Sequence, residues 1–245
     1  MWYENMIKDI DEGVAYSHRA LVEKLKTTKP DLSGNSYQWA LNALIRSGKL
    51  TRIGYDSYEL STDLQKENYM PNYSETSLNL IEMISGKYPY VQFTAFETFL
   101  MNEYLNHLIA QNTIFLQVEK ESSIYVFRFL QENGYPNVMY KPSRDDFNLY
   151  WSRDCIVVTD LISEAPCRRD APHSIMLEKM VVDISADKLI SLTFSKSEFP
   201  TFCEQIQDKY FIDESRMLRY ARRRNREKVI MEFFKERREE NADTR

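Results

Sequence analysis

Residues 17–60 have the sequence SHRALVEKLKTTKPDLSGNSYQWALNALIRSGKLTRIGYDSYEL, and this stretch decides the fold of the first part of the chain. Apolar side chains recur in it three or four positions apart, as they do in helices that bury one face. The pattern is interrupted once, at Pro30, so it predicts two helices. The positions that carry it are Leu21, Leu25, Trp39, Ala40, Ala43 and Leu44.

Polar residues mark where these two helices begin. Ser17 is placed to cap the first helix, because its hydroxyl can accept a hydrogen bond from an amide in the first turn. Ser33 or Asn35 can cap the second helix in the same way. Between the helices, Pro30–Gly34 combines the residue types that favour turns. We therefore predict two helices joined by a short turn.

A β-hairpin is predicted to follow the second helix. Ser47 and Gly48 end that helix, since glycine tolerates the backbone conformation that commonly follows a helix C-terminus. Leu50–Ile53 and Tyr58–Leu60 are short apolar-alternating runs, and they flank a polar turn. Two helices followed by such a hairpin predict a winged helix-turn-helix.

This fold predicts contact with double-stranded DNA, because the second helix of such a module enters the major groove. Between Ser33 and Arg52 the only formal charges are positive, which suits contact with phosphates. The residues expected to contact DNA are Asn35, Ser36, Tyr37, Gln38, Asn42, Arg46, Lys49 and Arg52. Winged helices also serve as protein-interaction modules, and that alternative stays open.

Length and composition predict two domains, since 245 residues exceed what a winged helix needs. We place the winged helix at residues 1–62, a polar linker at 63–76, a second domain at 77–236 and a charged tail at 237–245. The net charge of -5 excludes a uniformly basic nucleic-acid coat, so DNA contact must rely on local patches.

The three cysteines form no CxxC pair, and neither disulfides nor a zinc site is indicated. The first residues lack a basic stretch leading into an apolar one, and no window is apolar enough for a membrane span. We expect a soluble cytoplasmic protein that needs no metal or cofactor.

The second domain alternates predicted strands and helices, which favours a mixed α/β fold over an all-helical one. Strands are predicted at Val91–Phe93, Thr113–Val118 and Cys155–Thr159. Helices are predicted at Ser77–Ile84, Phe96–Ala110, Ser122–Gln131, Met176–Asp183, Ala186–Leu192 and Glu198–Asp208.

A basic helix is predicted near the C-terminus, where seven cations lie between Arg216 and Lys228. Four of them are spaced by three or four residues, so one helix face would present them to phosphates or to an acidic partner. These four are Arg219, Arg222, Arg223 and Arg226. The alternative is a solvated face whose arginines pair with nearby carboxylates.

Catalytic motifs give little support for an enzyme. The chain lacks phosphate-binding glycine loops, a zinc-protease helix and a nucleophile elbow. Its three histidines lie in unrelated segments. Glu119, Lys120 and Asp160 follow predicted strands, which leaves open a metal-dependent nuclease or nucleotidyl-modifying enzyme fused to a DNA-binding module. We expect no enzymatic activity.

The segment LEKMVVDI, Leu177–Ile184, together with the winged helix, resembles AbiEi-type antitoxins. These are the transcriptional regulators of bacterial type IV toxin–antitoxin (abortive infection) systems. In that family an α/β domain carries a similar Glu-to-Asp helical pattern, matched here by Glu178–Asp183. Thr94–Glu97, taken as a helix, and the strand from Thr113 occupy comparable places. We expect the charged residues of Glu178–Asp183 to pair on the helix surface.

The resemblance implies a function. Such antitoxins bind inverted repeats in their own promoter, repress their operon and counteract a nucleotidyltransferase toxin without forming a stable complex. It carries no catalytic residue over to this chain.

Overall fold

The protein, described by a computed structural model, has a mixed α/β fold, which confirms the predicted class. The structure describes residues 2–11, 13–54, 56–60, 66–152 and 154–234, and only the backbone of residues 46, 53 and 54. The predicted charged tail, 237–245, and residues 63–65 of the predicted linker lie outside these ranges.

The chain forms two compact units, and their boundaries differ from the expected ones. The first unit comprises Met1–Asn68 and Gln207–Asp213; the second comprises Tyr69–Ile206 and Glu214–Arg245. The returning segment joins the first unit through the backbone of Glu67. The amide of Glu67 donates to the carbonyl of Lys209 at 2.9 Å, and the amide of Phe211 donates to the carbonyl of Glu67 at 3.0 Å.

The first unit contains the two predicted helices and the hairpin, in the predicted order. A 3-10 helix, Trp2–Asp9, precedes α1 (His18–Thr28) and α2 (Gly34–Arg46), and β1 (Leu50–Gly54) pairs antiparallel with β2 (Ser57–Leu60). Both predicted caps are confirmed. The Ser17 hydroxyl accepts from the Ala20 amide, and the Ser33 hydroxyl accepts from the Ser36 amide. The apolar faces meet in one core, whose fully buried side chains include Met6, Leu21, Leu25, Leu41, Leu44 and Leu50.

α2 ends just before Ser47 and Gly48, as predicted, and Gly48 adopts a φ of +68°. It is also in close contact with the returning segment, because a Cβ at this position would lie 2.7 Å from Cδ2 and 2.9 Å from Cγ of Phe211. Both the backbone conformation and the space around it therefore require glycine.

We expect Gly48→Ala to destabilise the protein by about 1–3 kcal/mol, since alanine is strained at positive φ and its methyl group would displace the Phe211 ring. Thermal unfolding measures the change. Gly34→Ala is the matched control, because a Cβ at Gly34 meets nothing within 4 Å. Equal stability of the two variants would contradict the described contact.

The second unit is built on a four-stranded sheet of order β3-β4-β6-β5. The strands are β3 (Phe93–Glu97), β4 (Thr113–Val118), β5 (Val138–Tyr140) and β6 (Cys155–Asp160). β3 is antiparallel to β4, whereas β4, β6 and β5 run parallel. The helices are α3 (Glu75–Lys87), α4 (Ser123–Glu132), α5 (Arg144–Tyr150), α6 (Leu177–Ala186), α7 (Phe199–Lys209) and α8 (Glu214–Arg223). The last residues of α7 belong to the first unit.

Helices cover both faces of this sheet. On one face, Glu97 of β3 accepts hydrogen bonds from the start of α3, and Asp160 of β6 accepts one from Ser123 of α4. On the other face, the rings of Phe115 and Phe147 of α5 stack with centroids 6.3 Å apart. α6 also reaches that face, where its side chains bond Gln117 of β4. Every residue of β3 and β4 is buried, and so are the first four residues of β6, which is why apolar residues follow one another in these strands without strict alternation.

Burial on both faces explains the main error in the sequence prediction. Phe96–Ala110 is not one helix, and Thr94–Glu97 is a strand: β3 pairs residue by residue with β4 up to Glu97, and a 3-10 helix, Thr98–Tyr104, follows. Consecutive buried residues imitate helical spacing. Ala186–Leu192 likewise contains only the end of α6 and a 3-10 turn.

A buried carboxylate fixes the end of β3. Glu97 is 1% exposed, and four donors converge on it. They are the Ser74 amide (2.5 Å), the Ser74 hydroxyl (2.7 Å), the Ser77 hydroxyl (2.9 Å) and the Asn112 side-chain amide (2.7 Å). Because Ser74 caps α3, this cluster joins the start of α3 to the edge of the sheet.

None of the described helices combines the length and the apolar character that crossing a membrane requires.

Candidate nucleic-acid interface

Tyr37 fixes the start of α2. It was expected on the exposed surface, but it is buried. Tyr37 is 3% exposed, and its hydroxyl donates to the carbonyl of Lys29 at 2.9 Å and accepts from the amide of Leu32 at 3.1 Å. These bonds hold the turn between α1 and α2. The prediction that Tyr37 contacts DNA is therefore wrong, because its ring and hydroxyl are used inside the unit.

The opposite side of α2 is exposed and polar. Asn35 and Gln38 are exposed, and Ser36 and Asn42 are half-buried. The Gln38 side chain bridges two neighbours: its amide nitrogen donates to Oδ1 of Asn42 at 3.3 Å, and its Oε1 lies 2.6 Å from Nε2 of His18. A line of polar side chains thus runs from the first residue of α1 to the middle of α2.

One predicted core residue also lies on the exposed side. Trp39 is 55% exposed, although its spacing placed it on the buried face of α2. Its ring contacts the edge of Tyr3 with centroids 5.6 Å apart. The buried face instead consists of Tyr37, Ala40, Leu41 and Leu44.

The hairpin presents a cation beside this helix. Arg52 of β1 is exposed, and its guanidinium lies 5.9 Å from the ring centroid of Tyr58 on β2. Tyr16 pairs with β2 through an antiparallel β-bridge to Tyr58. The Tyr16 amide donates to the carbonyl of Tyr58 at 2.6 Å, and the Tyr58 amide donates to the carbonyl of Tyr16 at 2.8 Å. At the hairpin turn, Asp56 accepts from the His18 amide at 2.9 Å.

The charge of Lys49 is partly neutralised. Its ammonium pairs with Glu4 at 2.5 Å and is about one third exposed. This hydrogen bond lowers the pKa of the Glu4 carboxyl to about 2, so the pair stays ionised at neutral pH. The side chain of Arg46, another predicted contact, lies outside what the structure describes.

The C-terminal cations do not share one helix face, which corrects the sequence prediction. α8 ends at Arg223, and Asn225 adopts a φ of +55°, so Arg226 lies beyond the helix. Arg222 forms a bidentate pair with Glu227 at 2.5 and 3.0 Å, and Arg223 donates to the Ser163 hydroxyl at 2.8 Å. Arg219 and Arg226 are exposed. The alternative prediction, that these arginines pair with nearby carboxylates, therefore holds for Arg222.

The carboxylates considered for metal catalysis have structural partners. Asp160 pairs with Lys141 at 2.7 Å, not with Lys120, and accepts from the Ser123 hydroxyl at 2.8 Å. Glu119 accepts from the Ser122 hydroxyl at 2.9 Å. In the described part of the chain, no group of three or more histidine, cysteine, aspartate or glutamate side chains is arranged to hold a metal ion.

Glu178–Asp183 is helical, as expected, but its charges lie in the core and not on the surface. Lys179 and Asp183 are 0% and 1% exposed in α6, and they pair with each other. The Lys179 ammonium also bonds Oε1 of Gln117, and Tyr220 of α8 donates to Asp183 at 2.8 Å. Burial lowers the pKa of Lys179, and the Asp183 charge opposes that shift. Glu178 lies 3.6 Å from Arg216.

A model of the family described as "Family of unknown function (DUF6577)" matches residues 36–240. The chain belongs to DUF6577. It matches no curated protein and no solved structure.

The DUF6577 match begins at the third residue of α2 and leaves out α1. It contains the hairpin and every element from α3 to α8. The exposed polar side of α2, the Lys179–Asp183 pair and the cations of α8 therefore all lie within the matched region.

Sequence reasoning missed two parts of the described sites. His18 lies twenty positions before Gln38 in the sequence, and only the fold brings its ring to that side chain. The sequence analysis also missed β5 and α5, because both elements are short. The sequence did contain a signal for α5, since Ser143 and Asp146 form a capping box in which each side chain accepts from the other residue's backbone amide.

Proposed function

We propose that this protein is a DNA-binding transcriptional regulator, with α2 as the recognition helix and the β1–β2 hairpin as the wing. One observation carries the proposal: α2 buries its apolar side and exposes Asn35 and Gln38, with Asn42 beside them. Helix, turn, helix and hairpin follow one another in the order of a winged helix-turn-helix.

The chemistry of this surface suits duplex DNA. Asparagine and glutamine amides can bond an adenine edge with two hydrogen bonds, and arginine or lysine can contact phosphates. The segment from Ser33 to Arg52 carries no acidic residue, so nothing on that segment repels the DNA backbone. The His18–Gln38–Asn42 line would hold the reading side chains in place before binding.

We further propose that the regulator is a non-enzymatic antitoxin. It would repress its own promoter at inverted repeats and counteract a nucleotidyltransferase-like toxin. This part rests on the resemblance of Glu178–Asp183 and the first unit to AbiEi-type antitoxins. Because the charges of that segment are buried, we assign them a structural role in the second unit and no direct contact with the toxin.

The test is an anisotropy titration against the duplex upstream of the gene and a scrambled duplex, at two salt concentrations. We expect Gln38→Ala with Asn42→Ala to abolish the preference for the upstream duplex, since each good base contact is worth about 1–3 kcal/mol. Arg52→Ala should weaken binding to both duplexes and reduce the salt slope by about one unit. Lys8→Ala, an exposed cation of the first unit, is the control.

Equal, weak binding of the unmodified protein to both duplexes would refute the regulator. Trp39 favours a second function in that case, since exposed aromatic side chains are enriched in protein interfaces. The protein would then be an adaptor, and Trp39→Ala would impair partner binding. Growth on co-expression with a neighbouring nucleotidyltransferase gene tests the antitoxin part separately.

A further inference from the structure

A cleft of about 410 Å³ lies in the second unit, outside the surface discussed so far. It is lined by residues from three segments: the start of α5, the end of α6 with the turn after it, and the residue that follows α8. Each segment contributes one cation. These are Arg144, Lys188 and Arg224.

Besides these three cations, the lining contains one carboxylate, that of Asp187. Asp187 is already engaged, because its Oδ1 accepts from the amides of Leu189 and Ile190 at 2.9 and 3.2 Å. Arg144 and Lys188 are exposed, and neither forms an ion pair with another residue that the structure describes. The cleft therefore carries an excess of positive charge.

Arg224 is the fixed member of this group. Its side chain is only 11% exposed and lies 3.8 Å from Asp183 and 3.7 Å from Asp187. These are ion-pair distances, longer than hydrogen bonds, so the guanidinium keeps donors for a ligand. The two carboxylates hold it in position from the protein side. Its orientation is thus set before a ligand binds.

We propose that this cleft binds a phosphate group. Three cations and one carboxylate line the cleft, so a bound anion reduces the repulsion that remains between the cations. Guanidinium forks match the oxygens of phosphate, and the lysine adds a mobile charge. The phosphate belongs either to a nucleic-acid backbone or to a free phosphorylated compound. This site lies in the second unit and does not rest on the function proposed for α2.

Inorganic phosphate is the probe, titrated into the full chain and followed by backbone amide chemical shifts, with sodium chloride at equal ionic strength as the reference. We expect saturable shifts at residues 143–145 and 186–189. Arg144→Ala and Lys188→Ala should each weaken phosphate binding roughly tenfold or more, because a charge-assisted hydrogen bond contributes about 1.5–3 kcal/mol. Lys196→Ala, an exposed cation of the same unit, should leave it unchanged.

Shifts that do not saturate, that chloride reproduces, or that both variants leave intact would overturn the proposal. The source of the phosphate follows from a duplex titration with the Arg144→Ala Lys188→Ala double variant. Weaker duplex binding assigns the cleft to the DNA backbone, and unchanged duplex binding with lost phosphate binding assigns it to a free compound. Both outcomes can still be interpreted if the Gln38→Ala Asn42→Ala variant keeps its preference for the upstream duplex, because the cleft is tested with different substitutions.

Discussion

Lys179→Met should destabilise the protein by about 3–5 kcal/mol, the largest effect that we expect from a single substitution. The change leaves the Asp183 carboxylate in the core without its closest cation, and the Gln117 carbonyl without its donor. Methionine fills the volume of the lysine side chain. The lost stability therefore comes mainly from the missing charge and hydrogen bonds, and not from a cavity.

The measurement is thermal or urea unfolding followed by circular dichroism, with hydrogen exchange as a local probe. Exchange should rise in α6 and α8, because Asp183 also holds Tyr220. Lys188→Met is the control, since Lys188 is exposed two residues after α6 ends. Unfolding of Lys179→Met within about 1 kcal/mol of the parent protein would contradict the buried pair.

Glu97→Leu should cost at least about 3 kcal/mol, because four hydrogen-bond donors lose their acceptor in a buried place. Glu97→Gln is the matched comparison. It keeps the shape and one acceptor oxygen, so we expect a loss of about 1–2 kcal/mol. Hydrogen exchange at the start of α3 should increase in both variants, and more strongly in the leucine variant.

An equal loss in the two Glu97 variants would contradict this account, because the glutamine variant keeps an acceptor oxygen that the leucine variant lacks. Ser77→Ala provides a further check, since it removes the Ser77 hydroxyl and leaves the carboxylate with three donors, the Ser74 amide, the Ser74 hydroxyl and the Asn112 side-chain amide. Its cost should lie near that of the glutamine variant.

The first unit could be predicted closely because its signals are local. Ser17 and Ser33 cap the helices, and Gly48 ends the second one. Each of these residues acts within a few positions of itself, so sequence order suffices. Trp39 shows the limit: helical spacing gives a face, but the tertiary packing decides which side chains of that face are covered.

The second unit was predicted less well because long-range contacts decide it. β3 becomes a strand through β4, and the buried Lys179–Asp183 pair is possible only because Gln117 and Tyr220 complete it. For the same reason the phosphate cleft could not be found in advance. Arg144, Lys188 and Arg224 lie in three segments, and Arg224 was only one of seven neighbouring cations in the sequence.

The returning segment Gln207–Asp213 has a consequence for synthesis of the chain. Glu67 finds its backbone partners, and Gly48 its aromatic neighbour, only after residue 211 has been translated. The first unit therefore cannot complete its native contacts when its own helices leave the ribosome, and must wait until the segment Gln207–Asp213 has also emerged. Cutting the chain after Asn68 would likewise give a fragment that lacks part of its own fold.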